Sequence, residues 1–150
     1  MITSKSNDKI KNVRQLIAQS KARKKQGLFV VEGERICREV PESLLKEVYV
    51  AESFDTEGFR FPFEVVREDV FKYMTDTVNP QGVLAVAGMP EGSLEDVLTK
   101  DKLLILDDIR DPGNMGTIIR TAEAAGAGVI MSSGCVDVFN PKVTRSTMGS

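Results

Sequence analysis

The stretch KLLILDDIRDPGNMGTIIRTAEAAGAGVIM, residues 102–131, decides the fold of the second half of the chain. KLLILDDI at 102–109 is an apolar run of strand length, and TIIRTAEAA at 117–125 has the spacing of an amphipathic helix that ends at Gly126. GVIMSSG at 128–134 indicates a second strand. A strand, a helix and a strand in this order predict one βαβ step with two parallel strands.

The connection between the first strand and the helix contains Pro112, Gly113, Asn114 and Gly116. It follows the carboxyl end of a parallel strand, which is where open α/β sheets bind their ligands. The two glycines permit a close approach of another backbone or a positive φ. Asn114 can cap the helix or present its amide to a ligand. This connection is therefore the first candidate for a functional site.

The helix after this connection has two faces. The apolar face is expected to be buried, and it consists of Ile118, Ile119, Ala122 and Ala125. The other face presents Arg120 about one turn into the helix. Small or polar residues surround that arginine, namely Thr117, Thr121 and Ala124. A dinucleotide-binding fingerprint and a P-loop both require residues that this turn lacks. On these residues alone, a capped turn with a surface arginine explains the pattern equally well.

Residues 1–88 predict a separate α/β sandwich with a partly parallel sheet, because strand and helix patterns alternate along them. The first helix is expected over 6–27, with Ser6 or Asn7 as its cap, Gly27 as its end and an apolar stripe of Ile10, Val13 and Ile17. LFVVEG, LKEVYVAE, FPFEVVRE and QGVLAVAG each indicate a strand, and ERICREV and DVFKYMTDTV indicate helices.

MPEGS at 89–93 marks a change of composition, so residues 89–101 are predicted to be a linker with a short helix, LEDVLTKD. The second domain then spans 102–150. Its last element, NPKVTRSTMG, predicts a helix with Asn140 as cap and Pro141 at its first position.

Charge is unevenly distributed along a chain whose net charge is only −2. Residues 1–25 contain one acidic side chain, Asp8, against eight basic ones: Lys5, Lys9, Lys11, Arg14, Lys21, Arg23, Lys24 and Lys25. Such a basic segment suits contact with a polyanion. A solvated helix surface is the competing interpretation of the same charges.

Several classes of protein are excluded by residues that the sequence lacks. Without any histidine, the chain cannot carry a Ser-His-Asp or Cys-His mechanism or a His-ligated metal. Its two cysteines, Cys37 and Cys135, are too few for a Cys-rich zinc site, and we expect no metal and two reduced thiols. No apolar run is long enough to cross a bilayer, and residues 1–12 do not resemble a signal peptide. A cytoplasmic protein without membrane contact is expected.

LDDIRDPGNMGTIIRTAEAAGAGVIM resembles the first motif of the SpoU (TrmH-like) RNA 2′-O-ribose methyltransferases, in which D-P-x-N-x-G follows a strand and R-T-A lies in the next helix. VDVFNPKVTRSTMGS is similar to the next stretch of that family. SKSNDKIKNVRQL and KARKKQGLFVVEGERICREV look like its substrate-binding domain. The resemblance covers almost the whole chain.

This resemblance implies a ribosomal-protein-like α/β sandwich that binds RNA, followed by the first part of an α/β-knot (SPOUT) methyltransferase domain. The implied activity is transfer of a methyl group from S-adenosylmethionine to a ribose of RNA, ribosomal or transfer, by a homodimer. The family's arginine corresponds to Arg120, working with Asn114. Lys142 and Arg145 become further candidates for phosphate contacts, with solvated helix charges as the alternative.

The second and third motifs of the family are expected beyond Ser150, together with the contacts to the cofactor. From this we expect residues 1–150 to be inactive by themselves. Two other functions remain open at this stage: a non-catalytic RNA-binding module, and a nucleotide-binding scaffold that does not bind RNA.

Overall fold

A computed structural model describes all residues, 1–150, as two compact units, Met1–Met89 and Pro90–Ser150. In the first unit the elements follow the order α1 (Asp8–Ala18), α2 (Ser20–Gln26), β1 (Leu28–Glu32), α3 (Glu34–Glu39), a 3₁₀ turn (Glu42–Leu44), β2 (Leu45–Ala51), β3 (Glu64–Val66), α4 (Glu68–Met74) and β4 (Val83–Gly88). In the second they are α5 (Leu94–Leu98), β5 (Leu103–Leu106), α6 (Pro112–Ala124), β6 (Gly128–Met131) and α7 (Pro141–Thr147).

The first unit is an α/β sandwich, as the sequence predicts. Its sheet has the order β1-β4-β2-β3, in which β4 is antiparallel to both neighbours and β2 is parallel to β3. Every residue of β4 is buried, because apolar clusters cover both faces of the sheet. Ile10, Val13 and Leu16 of α1 pack on one face, and Cys37 of α3 packs on the other.

The basic N-terminal segment forms two helices rather than the single helix expected from the sequence. The break lies at Gln19, whose φ of −128° and ψ of 114° are extended. The break leaves carbonyls at the end of α1 without helical partners. Arg23 of α2 donates from Nη1 to two of them, Leu16 O at 2.8 Å and Ile17 O at 3.1 Å. The predicted ends are otherwise correct, since Asn7 caps α1 and Gly27 ends α2 with φ of 64°.

The second unit contains the predicted βαβ step. Strands β5 and β6 are parallel, in register from Leu103 opposite Gly128 to Leu106 opposite Met131, and they form a sheet of their own. Apolar side chains on β5 are open to solvent, and Ile105 is 73% exposed.

Residues 90–101, expected to be part of a linker, belong to the second unit and pack against its sheet. Helix α5 packs against β6, and a Cβ built on Gly128 would lie only 2.8 Å from Cγ1 of Val97. The apolar side chain of Val97 therefore lies against the β6 backbone, a contact that a local sequence pattern cannot indicate.

Candidate functional site

The candidate site lies where the two strands of the second unit end. Residues 107–111 follow β5, and residues 132–140 follow β6. Because the strands are parallel, both loops emerge at the same edge of the sheet. Ser132 N–H donates to Leu106 O at the end of β5 at 2.9 Å, and the two loops are joined by a hydrogen bond from Val136 N–H to Ile109 O at 2.8 Å.

Helix α6 begins at Pro112, earlier than the glycine-rich turn suggested. Asp111 is the cap: its Oδ2 accepts a hydrogen bond from Asn114 N–H at 2.7 Å, and Pro112 occupies the first helical position. Gly113 is therefore helical, and neither it nor Gly116 has a positive φ. The Asp-Pro pair is the sequence signal for this start, since Asp at the cap and Pro after it are both strongly favoured.

Gly116 is required by the close approach of α6 to α7. A Cβ built at Gly116 would lie 2.2 Å from the Cβ of Ser146 and 2.7 Å from its carbonyl carbon. The helices can meet at this distance only because residue 116 has no side chain. Of the two roles considered for the glycines, the structure supports backbone approach at Gly116.

The buried face of α6 differs in part from the predicted one. Met115, Gly116 and Ala122 are buried, Ile118 and Ile119 are half-buried, and Ala125 is exposed. The face rotates toward Met115 because the glycine contact draws α7 against that side.

The opposite face of α6 is exposed as predicted. Arg120 lies on this face and makes no hydrogen bond or ion pair with the chain. The hydroxyls of Thr117 and Thr121 donate to Gly113 O and Thr117 O, each at 3.0 Å. The Asn114 side chain is also exposed, six residues and nearly two turns before Arg120. The structure thus presents a free amide in the first turn of α6, next to the strand ends, and an unpaired guanidinium more than two turns into the helix, farther along than the sequence suggested because the helix begins at Pro112. These groups can orient a hydroxyl and bind an anion.

Helix α7 carries the other two predicted phosphate contacts. Asn140 caps it by accepting from Lys142 N–H at 3.0 Å, and Pro141 follows the cap, both as predicted. The Lys142 side chain is exposed, and Arg145 is half-buried one turn later.

The predicted RNA contacts of the first unit divide into three groups. Lys21, Lys24 and Lys25 of α2 are exposed and have no partner in the chain. The second group has partners in the chain. Lys9 forms an ion pair with Glu64, and the hydrogen bond in this pair raises the pKa of Lys9. Lys11 Nζ lies 3.7 Å from Asp8 Oδ1.

Lys5 and Arg14 are placed over the ring of Tyr73, with distances to its centroid of 5.2 Å from Lys5 Nζ and 4.1 Å from Arg14 Cζ.

Arg23 is the third case, and its prediction as an RNA contact is wrong. Arg23 is only 2% exposed, and its guanidinium donates hydrogen bonds to the carbonyls at the end of α1. Position within a basic run could not reveal this, because the turn that buries Arg23 depends on the break at Gln19.

Three residues of this edge were not found from the sequence: Asp108, Arg110 and Ser132. Asp108 has a φ of 55°, and its N–H donates to Ser132 Oγ at 3.0 Å. Arg110 donates from Nε to Asp108 Oδ1 at 2.8 Å. No local pattern signals a positive φ at an aspartate in a loop.

No group of acidic, cysteine or histidine side chains could hold a metal ion, and no helix is long and apolar enough to cross a membrane.

Two family models match the chain. The MRM3-like substrate binding domain matches residues 7–85, and the SpoU rRNA Methylase family matches residues 101–150. Among curated proteins, the chain is 38% identical over 160 residues to the 23S rRNA (guanosine(2553)-2′-O)-methyltransferase RlmP of Bacillus subtilis, with 99% of this chain and 61% of that protein covered. It is 31% identical to the mitochondrial rRNA methyltransferase 3 of Mus musculus, with 95% and 38% covered.

Solved structures give the same result. An AdoMet-bound rRNA methyltransferase from Sinorhizobium meliloti superposes with a TM-score of 0.81 at 32% identity, covering 99% of this chain and 60% of that one. The SpoU methyltransferase AviRb from Streptomyces viridochromogenes, in complex with AdoMet, gives 0.81 at 25% identity, covering 95% and 59%. The chain thus spans about three fifths of the Bacillus relative and of both solved structures.

Proposed function

The chain belongs to the SpoU rRNA methylase family, and on that premise we propose that the protein transfers a methyl group from S-adenosylmethionine to a ribose 2′-hydroxyl of ribosomal RNA. The observation that supports this most strongly is that α6, which begins at the strand ends, carries two exposed groups without a partner in the chain: the amide of Asn114 and the guanidinium of Arg120. The names of the relatives favour ribosomal over transfer RNA.

S-adenosylmethionine supplies a methyl group that is already activated by the sulfonium. The apolar side chains of the two-stranded sheet, such as Leu104 and Ile105, are open to solvent rather than arranged around a cofactor-sized space. We therefore assign no cofactor contact to residues 1–150, and the proposed roles rest on the polar side chains of α6.

The chemical requirement at the RNA is to hold the 2′-hydroxyl in line with the methyl group and to lose its proton as the new C–O bond forms. Arg120 cannot accept that proton, because a guanidinium stays protonated. We assign to Arg120 the phosphate beside the target nucleotide, where a planar fork can bind two oxygens and stabilise the developing alkoxide. Asn114 orients the hydroxyl.

The first unit is proposed to bind the RNA. Lys21, Lys24 and Lys25 have free ammonium groups on one short helix, and RNA phosphates are suitable partners for them. We also propose that the protein works in the cytoplasm as a homodimer. The exposed apolar side chains of β5 and α5 support association, and sedimentation equilibrium tests it.

The experiment uses the protein expressed from its complete reading frame, tritiated S-adenosylmethionine and ribosomal RNA from cells that lack the gene. A 2′-O-methyl group blocks alkaline cleavage, because that cleavage requires the free 2′-oxygen. Label in alkali-resistant dinucleotides is expected. Label in mononucleotides contradicts the proposal, since it places the methyl group on a base. RNA binding without label indicates a non-catalytic RNA-binding module, and transfer RNA serves as the substrate control.

A further inference from the structure

Asp108 has a positive φ, which few non-glycine residues adopt, although aspartate and asparagine do so more often than most. With φ at 55°, it is one of two non-glycine residues with a positive φ, the other being Met148 near the end of α7. Glycine would reach this conformation without steric cost. Strained backbone conformations cluster at functional sites, so an aspartate with a positive φ at a strand end suggests a role for its carboxylate.

The β6 loop contacts both the backbone and the side chain of Asp108. The backbone N–H of Asp108 donates to Ser132 Oγ, and its carboxylate lies close to Gly134, where a Cβ would be only 2.8 Å from Asp108 Oδ1. The bond from Val136 N–H to Ile109 O ties the next residue of the β5 loop to the β6 loop. Asp108 is therefore fixed by the backbone around it.

Arg110 is oriented by this fixed carboxylate. Its Nε donates to Asp108 Oδ1 at 2.8 Å, while its side chain is 77% exposed. The two terminal nitrogens make no hydrogen bond with the chain, so four N–H groups point away from Asp108. An exposed pair of this kind adds little stability and does not explain the strained backbone.

We propose that Arg110 binds a phosphate of the RNA substrate and that Asp108 is the residue that positions it. The free edge of a guanidinium held through Nε matches two phosphate oxygens. Arg110 lies in the loop that leads directly into α6, so its phosphate would lie near the first turn of α6, where Asn114 would contact the RNA. This inference rests on the proposed function and adds a second, separately oriented arginine to the substrate side of the site.

The test measures RNA affinity at several salt concentrations for Arg110→Ala, Asp108→Gly, the double variant and Asp108→Asn. Lys100→Ala is the matched control, because it removes one exposed positive charge at the amino end of β5, away from the strand ends. Arg110→Ala is expected to weaken binding several-fold and to lower the slope of log affinity against log salt by about 0.7 to 0.9. Lys100→Ala should change neither.

Asp108→Gly separates positioning from folding. It removes the strained conformation, so hydrogen exchange of the second unit should be no faster than in the wild type. RNA binding should nevertheless fall toward that of Arg110→Ala. The double variant should bind no more weakly than Arg110→Ala, because both changes remove one contact. Asp108→Asn keeps an acceptor for Nε and tolerates a positive φ, so it should bind better than Asp108→Gly.

Three results would overturn the inference. Arg110→Ala could bind RNA with the affinity and salt slope of Lys100→Ala. Asp108→Gly could weaken binding equally whether or not Arg110 is present. A wild-type protein that does not bind RNA would overturn the proposed function and this inference together, whereas the first two results leave the proposed function intact.

Discussion

Replacing Gly116 with alanine tests the contact that brings α6 and α7 together. The added Cβ would lie 2.2 Å from Ser146 Cβ and 2.7 Å from its carbonyl carbon, whereas carbon atoms prefer about 3.5 to 4.0 Å. Alanine in a helix interior gains up to about 1 kcal/mol over glycine. Forcing extra volume into a packed contact costs about 1–3 kcal/mol. The clash involves backbone, so the upper end of that range applies and a net loss of about 2 kcal/mol is expected.

Adding Ser146→Gly to the Gly116→Ala variant should restore only part of this loss of stability, because the backbone carbonyl carbon of residue 146 remains 2.7 Å from the added Cβ. Gly113→Ala is the matched control on the same helix, since its Cβ would meet only the side-chain oxygen of Asp111, at 3.2 Å. That variant should change stability by less than about 0.5 kcal/mol.

Hydrogen exchange measured by mass spectrometry reports the effect where it occurs. A loss of about 2 kcal/mol speeds exchange of the α6 amides about 30-fold when exchange follows local opening. Peptides from the first unit serve as an internal reference. If Gly116→Ala exchanged as slowly as Gly113→Ala, the close approach of the two helices would be refuted.

Four further predictions concern the first unit and its boundary. Changing Lys21, Lys24 and Lys25 together to glutamine should lower the salt slope of RNA binding by about 0.7 to 0.9 per lost phosphate contact, and an unchanged slope would show that α2 is only a solvated surface. Arg23→Ala should instead lower the stability of the first unit by about 1–3 kcal/mol, measured by urea unfolding, because it leaves the buried Leu16 carbonyl and the half-buried Ile17 carbonyl without this donor. Burial raises the pKa of the Cys37 thiol to about 12, so the folded state holds this proton more tightly than the unfolded chain does. Stability should fall between about pH 9 and pH 12, by up to about 1.4 kcal/mol per pH unit from this group, and Cys37→Ala should reduce that decline. Limited proteolysis should cut first within the exposed residues 90–96 and leave the first unit intact, and a first cut inside residues 28–88 would contradict this.

Local signals made most of the fold predictable from the sequence. Asn7, Gly27 and the Asn140–Pro141 pair lie at the ends of their helices because caps depend on a few neighbouring residues. The buried strand β4 was indicated by its continuous apolar run. The exposed face of α6 followed from helical periodicity, which is equally local.

Contacts between distant residues could not be predicted in this way. Arg23 looked like any other cation in a basic run, but its burial depends on where α1 stops. Gly116 could have been a turn residue or a contact residue, and only the position of α7 decides between them. Arg110 was not a candidate because its orientation depends on Asp108, which the β6 loop holds in place.

The most direct test of the proposed function is methyl transfer by Arg120 variants, with RNA affinity measured on the same preparations. Arg120 is exposed, so Arg120→Ala and Arg120→Lys should leave the fold intact. Both should lose alkali-resistant label almost completely, because a lysine provides a point charge where a planar fork is needed. RNA affinity should fall far less, since the first unit and the other cations still bind. Near-normal transfer by Arg120→Lys would contradict the role assigned to the guanidinium, and near-normal transfer by Arg120→Ala would remove Arg120 from the site altogether.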